Sequence, residues 1–205
     1  MIKENIYTLN NRCVLGSLGA KTFRVQQPKC SKCNRTLLEE IDFSEIEYVF
    51  DQYDGQDMFS SENALIVTID LYNELLKNNI KGIVPVKVLN SVSKSFGKKN
   101  SELPIFVHLA FIPSNVENIP IAYDLQDKCT ECDLYIMKFD INRYKLNFRQ
   151  DEENQINLKV VFNSWNGNDI FNFRYHGEMG ITQKFLDVIK DFNCPENIII
   201  PAEWI

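Results

Sequence analysis

Apolar positions recur at helical spacing in two segments of the chain, 64–88 and 178–204, and each segment ends in a run rich in isoleucine and valine. Such i, i+3, i+4 repeats are typical of amphipathic helices, and short apolar runs beside turn residues are typical of strands. Thr68 and Thr182 precede the helical patterns, where a hydroxyl accepts from the exposed amides of the first turn. The spacing predicts two capped helices, each followed by a short buried strand. The two apolar stripes comprise Leu71, Tyr72, Leu75, Leu76, Phe185, Leu186, Ile189 and Phe192.

The same order of motifs occurs twice along the chain. Each copy has a C-x-x-C pair, then an Asp-x-Phe motif within "GQDMFSS" (55–61) or "GNDIFNF" (167–173), then a strand, a helix and a strand. Strand–helix–strand units are common, so the helices alone leave coincidence open, but the cysteine pairs favour an internal duplication. We therefore predict an α+β fold with mixed sheets. Its pseudo-repeats would be residues 1–102 and 103–205, packed as one globular unit.

Four of the six cysteines form the two C-x-x-C pairs, Cys30 with Cys33 and Cys129 with Cys132. Each pair places two thiolates close enough to bind one metal ion. Two pairs supply the four-sulfur tetrahedral set that zinc prefers in a closed structural site. Because the pairs are far apart in the chain, the predicted zinc ion would staple the two halves together.

The residues that follow the pairs, Asn34 and Asp133, fit this interpretation. A metal knuckle needs a left-handed backbone at that position, and Asn and Asp are the non-glycine types that tolerate it best. Two alternatives remain for the cysteines: reduced thiols that only pack, and a redox pair. A thioredoxin-like pair needs a helix start and an aromatic-flanked turn, and neither pair shows them.

The charge distribution favours a protein partner over nucleic acid. The chain has a formal net charge of -6, and residues 36–76 contain no lysine or arginine. Phosphates require cations, so this acidic segment disfavours direct nucleic-acid binding, whereas a basic protein partner would suit it. A solvated face is the plainer interpretation of any single carboxylate. The candidate partner-binding residues are Glu39, Glu40, Asp42, Glu45, Glu47, Asp51, Asp54 and Asp57.

The motifs of common enzyme classes are missing from the sequence. It contains no P-loop, no Rossmann glycine fingerprint, no G-x-S-x-G and no H-E-x-x-H. His108 lies in an apolar run, and His176 with Glu178 forms an H-x-E pair in the wrong order for a zinc deaminase. We therefore expect no catalytic residues. The apolar runs are too short to span a membrane and the start lacks a secretory pattern, so we expect a soluble cytoplasmic protein.

With its two C-x-x-C pairs, its Asp-x-Phe motif and its closing helix and strand, the chain resembles the double-CXXCG family of bacterial immunity proteins. The resemblance covers most of the chain in the order of its motifs, and Asn34 and Asp133 stand where the family has glycine. It implies a small cytoplasmic protein that protects its producer from a cognate polymorphic toxin by stoichiometric binding, without catalysis. An acidic inhibitor would suit a basic, nuclease-like toxin.

Two other classes remain open. A zinc-ribbon accessory protein of nucleic-acid machinery needs a basic patch with exposed aromatics, and only "SKSFGKK" (93–99) approaches one. A zinc enzyme of a new kind needs an open coordination position, which four cysteine ligands do not leave.

Overall fold

In the computed structural model of the chain, two large β-sheets share a hydrophobic core with two helices, and a two-stranded ribbon forms a third, separately hydrogen-bonded sheet. The structure describes residues 4–26, 28–35, 37, 43–62, 64–97, 99, 102–112, 114, 116–119, 123–142, 158–174 and 179–205. In chain order the elements are β1 (Ile6–Asn11), β2 (Gly16–Leu18), β3 (Phe23–Arg24), β4 (Phe43–Phe50), β5 (Met58–Ser61), β6 (Ala64–Thr68), α1 (Ile69–Lys77), β7 (Ile83–Val92), β8 (Phe106–Phe111), β9 (Asn118–Ile119), β10 (Tyr123–Lys128), β11 (Tyr135–Phe139), β12 (Leu158–Val160), a 3₁₀ turn (Phe162–Ser164), β13 (Ile170–Asn172), β14 (Met179–Thr182), α2 (Gln183–Ile189) and β15 (Asn197–Trp204). This sheet-rich arrangement with few helices agrees with the predicted α+β class.

The two large sheets have corresponding strands in the same order. One sheet runs β5-β6-β8-β7-β4-β2, with β3 also pairing β4, and the other runs β13-β14-β1-β15-β12-β9. In each sheet the fourth and fifth strands pair in parallel, β7 with β4 and β15 with β12. The other neighbours along both paths pair antiparallel. The two sheets therefore have the same mixed topology.

Strands of both large sheets cross the predicted boundary at residues 102 and 103. β1 begins the chain but pairs with β14 and β15 in the sheet of the C-terminal half. β8 lies beyond residue 103 but pairs with β6 and β7 in the other sheet. β1 thus occupies in one sheet the position that β8 occupies in the other. Neither predicted half contains all the strands of its sheet.

Both helices begin at the predicted threonines. The Thr68 hydroxyl accepts from the Leu71 amide, and the Thr182 hydroxyl accepts from the Phe185 amide, each at 3.4 Å. The predicted stripes are confirmed in part: Leu71 and Phe185 are fully buried, whereas Leu76 is 48 % exposed. A helix of two to three turns against one layer buries only the central line of its apolar face.

The core between the two sheets contains side chains from both sheets and both helices. It combines alternate residues of β6 and β8 with residues of β1, β13 and β14, and the two helices contact each other beside it. The opposite face of each sheet carries a smaller cluster of its own. β6 is therefore buried on both faces, which explains its continuous apolar run. The buried residues of the shared core are Leu9, Met58, Leu65, Val67, Leu71, Leu75, Ile80, Leu109, Ile170, Ile181, Phe185, Val188 and Ile189.

The strands that follow the helices differ from the prediction of short buried strands. β7 extends over ten residues and β15 over eight, and most of their side chains are only partly buried. In β7 the buried Val86 and Val88 flank the exposed Lys87, which is the alternation of a sheet with one face toward solvent. The apolar runs near Pro85 and Pro201 therefore mark half-buried strands.

Candidate metal centre

Each C-x-x-C pair forms a tight turn with the same backbone hydrogen bonds. In the first turn the Cys30 amide donates to the Arg35 carbonyl at 2.8 Å, and the Asn34 amide donates to the Cys30 carbonyl at 2.9 Å. In the second turn the Cys129 amide donates to the Leu134 carbonyl, and the Asp133 amide to the Cys129 carbonyl, at 2.8 and 2.9 Å. We call these two turns the knuckles, residues 30–35 and 129–134.

The predicted left-handed residues are found in both knuckles. Asn34 has φ of 55° and Asp133 has φ of 56°. This conformation turns the chain back after the second cysteine, so that both sulfur atoms of a pair point to the same side. Asn and Asp adopt it at a lower cost than other residues with a Cβ atom. Glycine is therefore not required here.

The knuckles meet so that all four sulfur atoms converge. The Sγ atoms of Cys30 and Cys129 lie 3.7 Å apart, those of Cys33 and Cys132 lie 3.6 Å apart, and all four lie within 4.8 Å of one another. Zinc–sulfur bonds of about 2.3 Å in a tetrahedron place sulfur atoms about 3.8 Å apart. The four cysteines therefore have the spacing and the chemistry to hold one metal ion. No second cluster of at least three potential ligands occurs among the described residues.

Side chains at the tips of the knuckles also join across the junction. The Ser31 hydroxyl donates to the Glu131 carboxylate, and the Lys32 ammonium donates to the Thr130 hydroxyl at 2.7 Å. Cys30 and Cys129 are buried, whereas Cys33 and Cys132 are partly exposed. One knuckle lies between β3 and β4 and the other between β10 and β11. The junction thus connects the large sheet of the N-terminal half to the ribbon.

The electrostatics of the junction favour a bound cation. The amides of Cys132 and Glu131 donate to the Cys129 sulfur and lower the pKa of Cys129 to about 6. The Leu134 amide lowers the pKa of Cys132, but burial and the three neighbouring sulfur atoms outweigh it and raise this pKa to about 12. Adjacent thiolates repel one another, so deprotonating one makes the next harder to deprotonate. A divalent cation removes that repulsion and stabilises all four thiolates.

The predicted acidic surface is divided by the structure. Glu39, Glu40 and Asp42 lie outside the described residues. Asp51 and Asp54 are exposed. Glu45 is partly buried, and its carboxylate lies 3.6 Å from the ammonium of Lys87. Among the described residues of the predicted surface, Asp51 and Asp54 are the two that are exposed.

Glu47 does not belong to that surface. It is only 8 % exposed, and its carboxylate accepts from the Lys21 amide at 3.0 Å and from the Ser91 hydroxyl at 2.9 Å. The Lys21 amide, followed by the Ser91 hydroxyl, lowers the pKa of Glu47. This carboxylate is occupied inside the fold, which leaves little of Glu47 for the predicted contact with a partner. The sequence around Glu47 does not indicate these contacts, because Ser91, which donates from β7, is distant in sequence.

Asp57 is also occupied within the fold. Its carboxylate accepts from the Thr68 hydroxyl at 2.9 Å and from the Asn193 amide at 3.0 Å, across the two halves. Asp169 has the matching contacts, from the Thr182 hydroxyl at 3.1 Å and the Lys81 amide at 2.8 Å. The sequence indicates that the Asp-x-Phe motifs are repeats, but it does not indicate that their aspartates join the two halves. Each aspartate joins the helix cap of its own half to the turn after the helix of the other half.

His108 belongs to the hydrophobic core and not to a candidate active site. His108 is buried, and its Nδ1 atom lies 2.9 Å from the Leu65 carbonyl, as expected for a core histidine. Burial lowers the pKa of His108 to about 4, against the opposing effect of that hydrogen bond. His176 and Glu178 lie outside the described residues.

Comparisons with known proteins leave the function to be inferred from the chain itself. Neither a family model nor a curated protein matches the sequence. In the described part of the chain, neither helix is long and apolar enough to cross a membrane. Among the described residues, the four converging sulfur atoms are the group that could hold a metal ion.

Proposed function

We propose that this chain is a non-catalytic binding protein with a structural zinc ion, and that it acts as an immunity protein against a cognate bacterial toxin. The observation that carries the proposal is the convergence of Cys30, Cys33, Cys129 and Cys132. Four sulfur ligands complete a tetrahedral shell and leave no position for a substrate or an activated water. This set supports a role for the metal in folding rather than in catalysis.

The zinc ion would hold the two knuckles together across a separation of 99 residues, from Cys30 to Cys129. Elemental analysis of protein purified without added metal should give about one zinc per chain. A Cys30→Ser, Cys129→Ser double variant should lose it, because two oxygen donors replace two thiolates. The matched control is Cys194→Ser, which removes a cysteine outside the cluster and should keep the metal. Full metal retention in the double variant would exclude this site.

An internal duplication would account for the two matching sheets. The shared strand order, the paired knuckles and the two Asp–Thr contacts support it. In this proposal the ancestral unit ended in the strand that corresponds to β8. In the second copy, β1 from the start of the chain fills that position in the sheet. The shared core explains why two copies would remain in one molecule, since each sheet packs its inner face on the other half.

Toxin neutralisation is the activity that best fits a clamped scaffold with this resemblance. The free state of all six cysteines suits a reducing compartment, so we infer a cytoplasmic location. The exposed Asp51 and Asp54 would meet a basic toxin and accelerate its association. No direct contact with nucleic acid or membrane is needed for this role.

The partner is tested with the toxin encoded beside the gene. An Asp51→Lys, Asp54→Lys variant should associate about tenfold more slowly at low salt, with a weaker dependence of the rate on ionic strength. The control is Asp187→Lys, Asp191→Lys, which makes the same charge change at two exposed acids elsewhere. Wild-type protein should protect cells that express the toxin. An absence of binding and of protection would overturn the immunity function. Equal association rates for both variants would overturn only the proposed surface.

A further inference from the structure

The two halves of the metal cluster differ in their access to solvent. Cys30 and Cys129 are 5 % and 3 % exposed, whereas Cys33 and Cys132 are partly exposed. The short sulfur–sulfur distances run between the knuckles, at 3.7 Å for the buried pair and 3.6 Å for the outer pair. A small oxidant therefore reaches Cys33 and Cys132 first, and each of these has a cysteine of the opposite knuckle beside it.

The knuckles have contacts that do not depend on a metal. Ser31 with Glu131, and Lys32 with Thr130, join the two tips directly. These contacts should keep the outer sulfur atoms close together if a metal ion leaves. Each knuckle is also fixed internally by its own backbone hydrogen bonds, so its two cysteines cannot rearrange without breaking them. A Cys33–Cys132 bond would therefore form without opening either turn, since these two sulfur atoms already lie 3.6 Å apart.

We infer that the cluster is an oxidation-sensitive clamp, in which hydroperoxides convert the metal-bound form into a form cross-linked by a Cys33–Cys132 disulfide. This inference rests on the proposed metal site. It adds a regulatory property that a purely structural ion would not have. The clamp between the halves would persist in both forms, first through the metal and then through a covalent bond.

The chemistry balances with one hydroperoxide for each disulfide. The Cys33 thiolate attacks the peroxide, its O–O bond breaks, and the sulfur becomes a sulfenic acid while the leaving oxygen takes a proton. The Cys132 thiolate then attacks the Cys33 sulfur, forms the S–S bond and expels hydroxide, which takes a second proton. Two electrons pass from the sulfur atoms to the peroxide. The Cys33–Cys132 bond would leave only Cys30 and Cys129 as thiolate ligands, too few to retain a bound metal ion.

The experiment uses the full-length chain, with its zinc content measured beforehand. Hydrogen peroxide is added in steps, and released zinc is followed with a chromogenic chelator. Remaining thiols are then alkylated and the unreduced protein is digested with trypsin and a glutamate-specific protease. Trypsin cuts after Lys32 and the second protease cuts after Glu131, so all four cysteines fall on separate peptides. Mass spectrometry then assigns each disulfide without ambiguity.

We expect one zinc released for each Cys33–Cys132 disulfide. Cys30 and Cys129 should still be free thiols at that stage and should therefore be recovered in alkylated form. Dithiothreitol with added zinc should restore the starting form, and Cys194→Ser should behave as wild type. Disulfides within a C-x-x-C pair, or sulfinic acids without disulfides, would overturn the inference. So would full zinc retention after the outer cysteines are oxidised. If the purified chain holds no zinc, the metal proposal fails by itself, and the peptide mapping still decides whether the outer cysteines pair.

Discussion

Replacing Asp169 with alanine tests the contact that joins the two halves near the helix caps. Asp169 is 4 % exposed, and it accepts from the Lys81 amide at 2.8 Å and from the Thr182 hydroxyl at 3.1 Å. The Asp169 amide donates back to the Lys81 carbonyl at 3.0 Å, which closes a ring between the halves. The Lys184 ammonium lies 3.3 Å from the same carboxylate. Alanine would leave the amide and the hydroxyl without this acceptor inside the fold.

The expected loss follows from these contacts. Hydrogen bonds to a charged acceptor contribute about 1.5–3 kcal/mol each, and the bonds from the Lys81 amide and the Thr182 hydroxyl together give about 3–6 kcal/mol. The ion pair with Lys184 is partly exposed and adds little. For a chain of this size, 1 kcal/mol corresponds to about 2–4 °C in the melting midpoint, so the midpoint should fall by about 6–24 °C. Asp169→Asn keeps one acceptor and should lose roughly half as much.

Asp57 provides the matched comparison because it makes the equivalent contacts in the other half. It is partly exposed, so water can replace the acceptor that a substitution removes. We expect Asp57→Ala to cost about 1–2 kcal/mol. Asp54→Ala, at an exposed position, should stay within about 0.5 kcal/mol of wild type.

The assay is urea unfolding followed by tryptophan fluorescence and circular dichroism. Trp165 and Trp204 lie against the outer face of one sheet and should report its unfolding. If the variants and the wild type share the same slope of unfolding free energy against urea concentration, a change in the urea midpoint measures a change in stability. A loss below about 1 kcal/mol for Asp169→Ala would refute the reasoning. A larger loss for Asp57→Ala than for Asp169→Ala would refute it as well.

Three further predictions concern the cluster, the buried histidine and the buried glutamate. Complete removal of the proposed metal ion should lower stability by about 4–5 kcal/mol, from the loop of 99 residues that it would close, and an unchanged melting curve would contradict this. The pKa of His108 falls from 6.5 to about 4 on folding, so stability should drop by about 3 kcal/mol as the pH falls from 6.5 to 4. His108→Gln should flatten that decline in urea titrations, and an equal slope in both proteins would argue against it. The lowered pKa of Glu47 contributes stability above its unfolded pKa that is lost on acidification. Glu47→Gln should therefore reduce the loss of stability between about pH 5 and 3, and an unchanged acid limb would count against this.

Local features of the fold could be predicted from the sequence because they depend on neighbours in the chain. Thr68 and Thr182 cap their helices through hydroxyls that reach amides three residues further on. Asn34 and Asp133 adopt the left-handed backbone that a C-x-x-C turn requires, whatever surrounds it. The cysteine spacing indicated a four-ligand set, since two thiols in one turn can share a metal ion. Each of these predictions depends on a span of only a few residues.

Only the tertiary structure decided which distant segments meet. The periodicity of apolar residues indicates whether a segment is a helix or a strand and which of its residues share a face. It does not indicate which other strand a given strand pairs with. For this reason β1 and β8 could not be assigned to opposite sheets from the sequence. The buried position of Glu47 and the contacts of Asp169 likewise depend on donors supplied by other elements. The sequence therefore determined the four cysteines of the cluster and the caps of the two helices. The pairing of its strands, which brings two knuckles 99 residues apart into contact, required the packed core of both halves.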